Sequence, residues 1–132
     1  MDAKNVGKVI NVLVVDEMVA HYALLKSNYA HGRNYDITFF SKFKFDDLAE
    51  FIAEKEIDMA FVFVYGRKSL HRVLPFLAFD LEIILFTNER DLWWLSESLP
   101  QINLVDIALP KGQLFTAIDH IIQRLRAEEN LS

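Results

Sequence analysis

The chain has 132 residues, a length typical of one domain, and its net charge of −5 argues against a general nucleic-acid or anionic-membrane binder. Hydrophobic residues make up 52% of the sequence, which excludes a disordered chain, and the absence of cysteine excludes disulfides, thiolate zinc sites and cysteine nucleophiles. No apolar run reaches the roughly 20 residues of a membrane span and the polar N-terminus is not a secretory signal, so we expect a single cytoplasmic domain.

Five short apolar runs alternate with amphipathic segments along the chain. The runs are Val9–Val15, Tyr35–Phe40, Ile57–Tyr65, Leu81–Thr87 and Ile102–Leu109. The first, third and fourth runs are almost continuously apolar, which is typical of central strands in a parallel sheet that is covered on both faces. The second run alternates more, which favours an edge strand.

The segments between the runs carry apolar residues at helical spacing. The predicted helices are Met18–Tyr29, Phe45–Glu54 with Asp46 and Asp47 in its first turn, a helix from the N-cap Asn88 to Leu99, and Gln113–Arg126. The segment Ser69–Phe79 is predicted to be a short or kinked helix, because it contains Pro75.

This order of elements predicts a three-layer α/β/α sandwich around a five-stranded parallel sheet in the order 2-1-3-4-5, with a core over about residues 9–126. In such sheets, ligands and chemistry lie at the carboxyl ends of the strands. The candidate site residues therefore directly follow the apolar runs: Asp16, Glu17, Tyr65, Gly66, Thr87, Asn88, Pro110 and Lys111.

Three motifs occur in a specific order at these strand ends. They are VLVVDE at Val12–Glu17, IILFTN at Ile83–Asn88 and DIALPKG at Asp106–Gly112. With this order and spacing, the chain resembles the receiver domain of two-component response regulators, which has a flavodoxin-like fold. The resemblance covers nearly the whole chain.

The resemblance implies a role for each of four residues. Asp16 and Glu17 match the two carboxylates that help to hold a magnesium ion, Thr87 matches the hydroxyl residue that contacts the phosphoryl group, and Lys111 matches the lysine after the fifth strand. From the residues themselves, a simpler interpretation is open at each position. The acidic pair can begin the first helix, Thr87 can be a β-branched strand end, and Lys111 can either neutralise Asp16 or lie in solvent.

The residue that accepts the phosphoryl group in receivers is absent. The family carries an aspartate at the end of the third strand, and counting forward from Asp58 places Phe63 at that position, followed by Val64 and Tyr65. None of these is a carboxylate, which is needed both as the nucleophile and to complete an oxygen-rich magnesium site. No base near the Tyr65 hydroxyl is apparent from the sequence.

Two further departures concern the fifth strand. Receivers have lysine followed by proline, whereas this chain has Pro110 followed by Lys111, and Ile107 stands where the family has its aromatic switch residue. The chain thus resembles a degenerate receiver, or pseudo-receiver, in which Phe63 is a packing residue among Val14, Val62 and Leu85. Its degenerate switch pocket comprises Asp16, Glu17, Phe63, Thr87 and Lys111.

No cofactor is expected, and magnesium binding is expected to be weak if it occurs, because the third carboxylate is missing. The four histidines show no metal-ligand spacing; they are His21, His31, His71 and His120. No catalytic residue is predicted.

Trp93 and Trp94 are adjacent on the fourth predicted helix, counting Ser69–Phe79 as the third. Neighbouring helical residues point about 100° apart, so at least one ring is expected to face solvent, unless both cover the edge of the core. With Ile107, they mark the face formed by the fourth helix, the fifth strand and the last helix. In receivers this is the usual partner or dimer face.

We therefore expect a non-enzymatic, phosphorylation-independent signalling module that binds a protein partner or a second copy of itself. One alternative is an active receiver that is phosphorylated at an atypical acceptor. Another is a small flavodoxin-like cofactor-binding protein, which the sequence disfavours because Asp16–Val19 is acidic and contains no glycine to let phosphate approach the backbone.

Overall fold

The apolar runs form the strands of one parallel sheet in a computed structural model, which describes residues 9–16, 20–29, 36–41, 47–66, 71 and 73–131. The strands are β1 (Val9–Val15), β2 (Asp36–Ser41), β3 (Met59–Val64), β4 (Glu82–Thr87) and β5 (Ile102–Asp106). They pair in the order β2-β1-β3-β4-β5, and every pairing is parallel. The predicted sheet, its strand order and β2 at its edge are confirmed.

Helices cover both faces of the sheet. The α-helices are α1 (Ala20–Tyr29), α2 (Leu48–Glu54), α3 (Trp94–Ser98) and α4 (Lys111–Leu131). One apolar cluster joins a sheet face to α1 and α4, and a second joins the opposite face to α2 and α3. The molecule is therefore the predicted three-layer α/β/α sandwich, and its strand order is that of a flavodoxin-like fold. None of its described helices is long and apolar enough to cross a membrane.

The register of the strands decides which side chains meet at their carboxyl ends. Phe63 pairs with Phe86 across β3 and β4, and both rings belong to the cluster under α1 and α4. The prediction that Phe63 packs among Val14, Val62 and Leu85 is correct only for Val14. Val62 and Leu85 belong to the opposite cluster, because successive strand residues point to opposite faces.

The second helix is shorter than predicted. It begins at Leu48, and Asp47 precedes it in the left-handed conformation with φ 59° and ψ 31°. Asp47 is therefore not in the first helical turn, while Phe45 and Asp46 lie outside the described residues. Hydrophobic spacing does not reveal such a left-handed residue, because it is a property of the backbone.

The two segments around β4 also differ from the predicted helices. Within Ser69–Phe79, the described part contains a 3₁₀ helix over Leu74–Ala78. Pro75 lies in its first turn, where the backbone N–H has no partner within the helix, so the missing N–H of proline costs no helical hydrogen bond. The segment from Asn88 to Leu99 divides into a 3₁₀ turn at Arg90–Leu92 followed by α3.

The physical reason for this division lies at the end of β4. Thr87 Oγ1 accepts the backbone N–H of Glu89 at 3.1 Å, and Glu89 is extended, with φ −85° and ψ 102°. This short side-chain turn replaces the predicted N-cap at Asn88 and delays the helix by several residues.

The start of β3 is held by polar contacts with β1. The Asn11 backbone N–H donates to Asp58 Oδ2 at 2.8 Å, and the Asn11 side-chain amide donates to the carbonyl oxygens of Lys55 and Glu56. These bonds hold the segment between α2 and β3 against β1.

Candidate functional site

The carboxyl ends of β1, β3 and β4 bring together most of the residues singled out in the sequence. Asp16 follows β1 and is 1% exposed, Phe63 lies near the end of β3 and is also 1% exposed, and Thr87 ends β4 and is fully buried. Glu17 lies outside the described residues. These three buried side chains, together with the first turn of α1, form the candidate site.

Phe63 lies in the middle of a stack of three rings. Its ring centroid is 4.4 Å from that of His21 at an interplanar angle of 17°, and 4.3 Å from that of Phe86 at 6°. Near-parallel rings at these distances have favourable packing energies beyond their burial. The position expected to correspond to a phosphate acceptor is thus filled by an aromatic core.

Asp16 accepts hydrogen bonds at both carboxylate oxygens. Oδ1 accepts the hydroxyl proton of Tyr65. Oδ2 accepts the backbone N–H of His21 at 2.9 Å and lies 3.2 Å from Nδ1 of the His21 ring. A buried carboxylate is costly unless it is hydrogen-bonded, and these contacts, one of them to an amide in the first turn of α1, compensate its burial.

His21 and Tyr65 also contact each other, since His21 Nδ1 and the Tyr65 hydroxyl oxygen are 2.7 Å apart. The Tyr65 hydroxyl donates to Asp16, so its oxygen is left to accept a hydrogen bond from His21 Nδ1. Asp16, His21 and Tyr65 are called the Asp16 cluster below. The Tyr65 hydroxyl can therefore pass its proton to the Asp16 carboxylate, to which it donates.

Sequence reasoning missed the contacts of two members of this cluster, although it names Tyr65 among the strand-end candidates. It gave Tyr65 no neighbouring base and His21 no partner, yet both contact Asp16. A signal was present: Tyr65 is two residues beyond Phe63 and projects to the same side of β3, and His21 is in the first turn of the helix that follows Asp16.

Lys111 and Ile107 are not members of the Asp16 cluster. Lys111 is exposed at the first position of α4, and in the described part of the chain no hydrogen bond or ion pair joins it to Asp16. Ile107 is half-buried against the core under α1 and α4. No group of three or more His, Asp or Glu side chains within the described ranges could hold a metal ion.

Trp93 and Trp94 present large apolar surfaces to solvent. Their side chains are 41% and 55% exposed, whereas the neighbouring Leu92 and Leu95 are buried in the core. The prediction that at least one ring faces solvent is confirmed. The surface formed by α3, β5 and the first turns of α4 is called the tryptophan face below.

The architecture makes the chain a flavodoxin-like α/β protein. Comparisons with protein-family models, curated proteins and solved structures gave no match.

Proposed function

We propose that the chain is a phosphorylation-independent signalling module of the receiver type, which acts by binding a protein. The observation that carries this proposal is the burial of Phe63 between His21 and Phe86, at the strand end where a receiver needs its acceptor carboxylate. A phenyl ring can neither attack a phosphoryl donor nor bind magnesium.

The Asp16 cluster supports the same conclusion. A carboxylate that binds magnesium directs its oxygens to the ion, whereas both oxygens of Asp16 accept hydrogen bonds from His21 and Tyr65. A metal would have to compete with these bonds at a side chain that is almost fully buried. The pocket is thereby held in one state without a phosphoryl group.

The tryptophan face supplies the surface for a partner. Exposed tryptophans are over-represented among the residues that dominate protein–protein binding, and Trp94 is the more exposed of the two here. The partner is another protein or a second copy of the chain. The net charge of −5 and the absence of cysteine fit a cytoplasmic protein that binds neither nucleic acid nor membrane.

The proposal is tested by offering the protein a phosphoryl donor. The purified protein is incubated with acetyl phosphate and Mg²⁺, and separately with beryllofluoride and Mg²⁺, and followed by intact mass and by amide chemical shifts. We expect no phosphoryl adduct and no shift changes at Asp16 or Thr87. A stable or hydrolysable adduct in wild-type protein would contradict the proposal.

One observation favours a second candidate, a receiver with an atypical acceptor. The Tyr65 hydroxyl donates to a carboxylate and contacts an imidazole, which is the arrangement that activates a hydroxyl nucleophile. If the wild-type protein forms an adduct, Tyr65→Phe tests whether Tyr65 carries the phosphoryl group. Loss of the adduct in this variant would identify Tyr65 as the acceptor.

A further inference from the structure

A cavity of about 640 Å³ opens at the carboxyl ends of β4 and β5. It is lined by Asn88, Arg90, Trp93, Asp106 and Ala108. The volume is within the usual range of small-molecule sites, and in open α/β sheets ligands bind at this end of the strands. The cavity is separate from the Asp16 cluster, since none of its lining residues belongs to that cluster.

The polar groups of the cavity retain unused hydrogen-bonding capacity. Within the described ranges, the Arg90 guanidinium and the Asn88 side-chain amide form no hydrogen bond or ion pair. Asp106 Oδ1 accepts the N–H of Ala108 at 2.9 Å, which leaves Oδ2 for another donor. Residues that carry a cation, an amide and a carboxylate therefore line one opening together with the exposed Trp93.

These groups define the chemistry of a ligand. The face of an indole ring stacks on a planar heterocycle. A guanidinium group binds a phosphate through two parallel hydrogen bonds. A carboxylate oxygen accepts from sugar hydroxyls, and a side-chain amide can both donate to and accept from the edge of a base.

We propose that this cavity binds a mononucleotide, with its base stacked on Trp93, its phosphate on Arg90 and its ribose hydroxyls donating to Asp106. Asn88 reaches the edge of the base. This inference goes beyond the proposed signalling function and does not depend on it, because nucleotide binding here requires neither a protein partner nor the Asp16 cluster.

Tryptophan fluorescence gives a direct test, because the chain has only two tryptophans. Trp94→Phe leaves Trp93 as the sole reporter, and Trp94 does not line the cavity. In this background the protein is titrated with AMP, adenosine and inorganic phosphate, with isothermal calorimetry as a second measurement. We expect AMP to change the Trp93 emission saturably, adenosine to bind about 10-fold more weakly since it lacks a charge-assisted contact, and phosphate alone to leave the emission unchanged.

Matched arginine variants then test the phosphate contact. Arg90→Gln should remove the advantage of AMP over adenosine, whereas Arg124→Gln should preserve it. Arg124 is a suitable control because it donates to Asn103 near the start of β5, at the opposite end of that strand from Asp106. Asp106→Asn, which keeps an acceptor for Ala108, should weaken AMP and adenosine equally.

Two results would overturn the inference. One is the absence of any saturable signal, in fluorescence and in calorimetry, up to about 10 mM AMP, a concentration well above the millimolar Kd of a weak specific site. The other is equal AMP affinity in Arg90→Gln and Arg124→Gln, which would mean that Arg90 does not hold the phosphate. Arg90 and Trp94 are both exposed, so these variants should retain the native far-UV circular dichroism.

Discussion

Phe63 lies between the polar side chains at the carboxyl end of the strands and the aromatic core. On one side its ring stacks on His21, which also contacts Asp16, and on the other it stacks on Phe86. The Phe63 ring thus packs against a member of the Asp16 cluster, and it also belongs to the core under α1 and α4. A substitution here acts on packing and on the cluster together.

We predict that Phe63→Asp destabilises the protein by about 3–5 kcal/mol and does not make it a phosphate acceptor. The new carboxylate would replace two ring contacts and would be buried next to His21, which already contacts Asp16. Urea unfolding measures the loss of stability, and intact mass after incubation with acetyl phosphate and Mg²⁺ measures phosphorylation.

Phe63→Leu is the control for this variant, because it removes the ring stacking but keeps the site apolar, and we expect a loss of roughly 1 kcal/mol. If Phe63→Asp were as stable as Phe63→Leu and were phosphorylated efficiently, the pocket would be open and competent, and a locked pocket would be the wrong interpretation.

Among the site residues, the sequence identifies those whose role follows from their position in a strand. Phe63 is predicted as a packing residue because it lies within a continuous apolar run. The positions of Tyr65 and His21 place them near Asp16, but the sequence does not give their hydrogen bonds, since these depend on side chains from three parts of the chain that meet only after the sheet has formed.

At the scale of elements, the junction between α2 and β3 shows how the backbone limits the helix. Glu56 lies two residues beyond the helix with φ 50°, a conformation that costs an L-residue about 1–2 kcal/mol. The Asn11 side chain accommodates this turn by donating to the carbonyl oxygens of Lys55 and Glu56. These bonds hold the turn through its backbone carbonyl groups and do not involve the Glu56 side chain.

We predict that Glu56→Gly raises the free energy of unfolding by about 0.5 kcal/mol, because glycine adopts positive φ without strain, and this gain exceeds its greater freedom in the unfolded chain. Glu50→Gly is the matched control within α2, and should lower the stability by about 1 kcal/mol. Chemical denaturation of both variants checks the opposite signs. Equal destabilisation by the two substitutions would disprove a strained turn at Glu56.

The strands could be predicted from the sequence more accurately than the helices. Strands β1, β3 and β4 are buried on both faces, so each gives a continuous apolar run that ends close to the observed strand end. The starts of α2 and α3 depend on the left-handed Asp47 and on the Thr87 turn, which hydrophobic periodicity does not encode.

At the scale of the whole molecule, the two sheet faces differ from the tryptophan face in how well they are covered. The core clusters under α1 and α4 and under α2 and α3 are closed, with most of their members almost fully buried. Helix α3 has only five residues, and Trp93 and Trp94 at its start remain exposed. Apolar surface that folding leaves uncovered is available for association.

We predict that Trp94→Ala weakens association with a partner protein or with a second copy, and leaves the fold intact because the ring contributes little to either core cluster. Sedimentation velocity over a range of concentrations measures self-association, and capture by the immobilised protein measures partner binding. Leu74→Ala is the control, since Leu74 is comparably exposed at 59% but lies on the 3₁₀ helix outside the tryptophan face. If both variants associate as strongly as the wild type in both assays, the tryptophan face is not the binding surface. The proposed signalling function would then have no identified binding site.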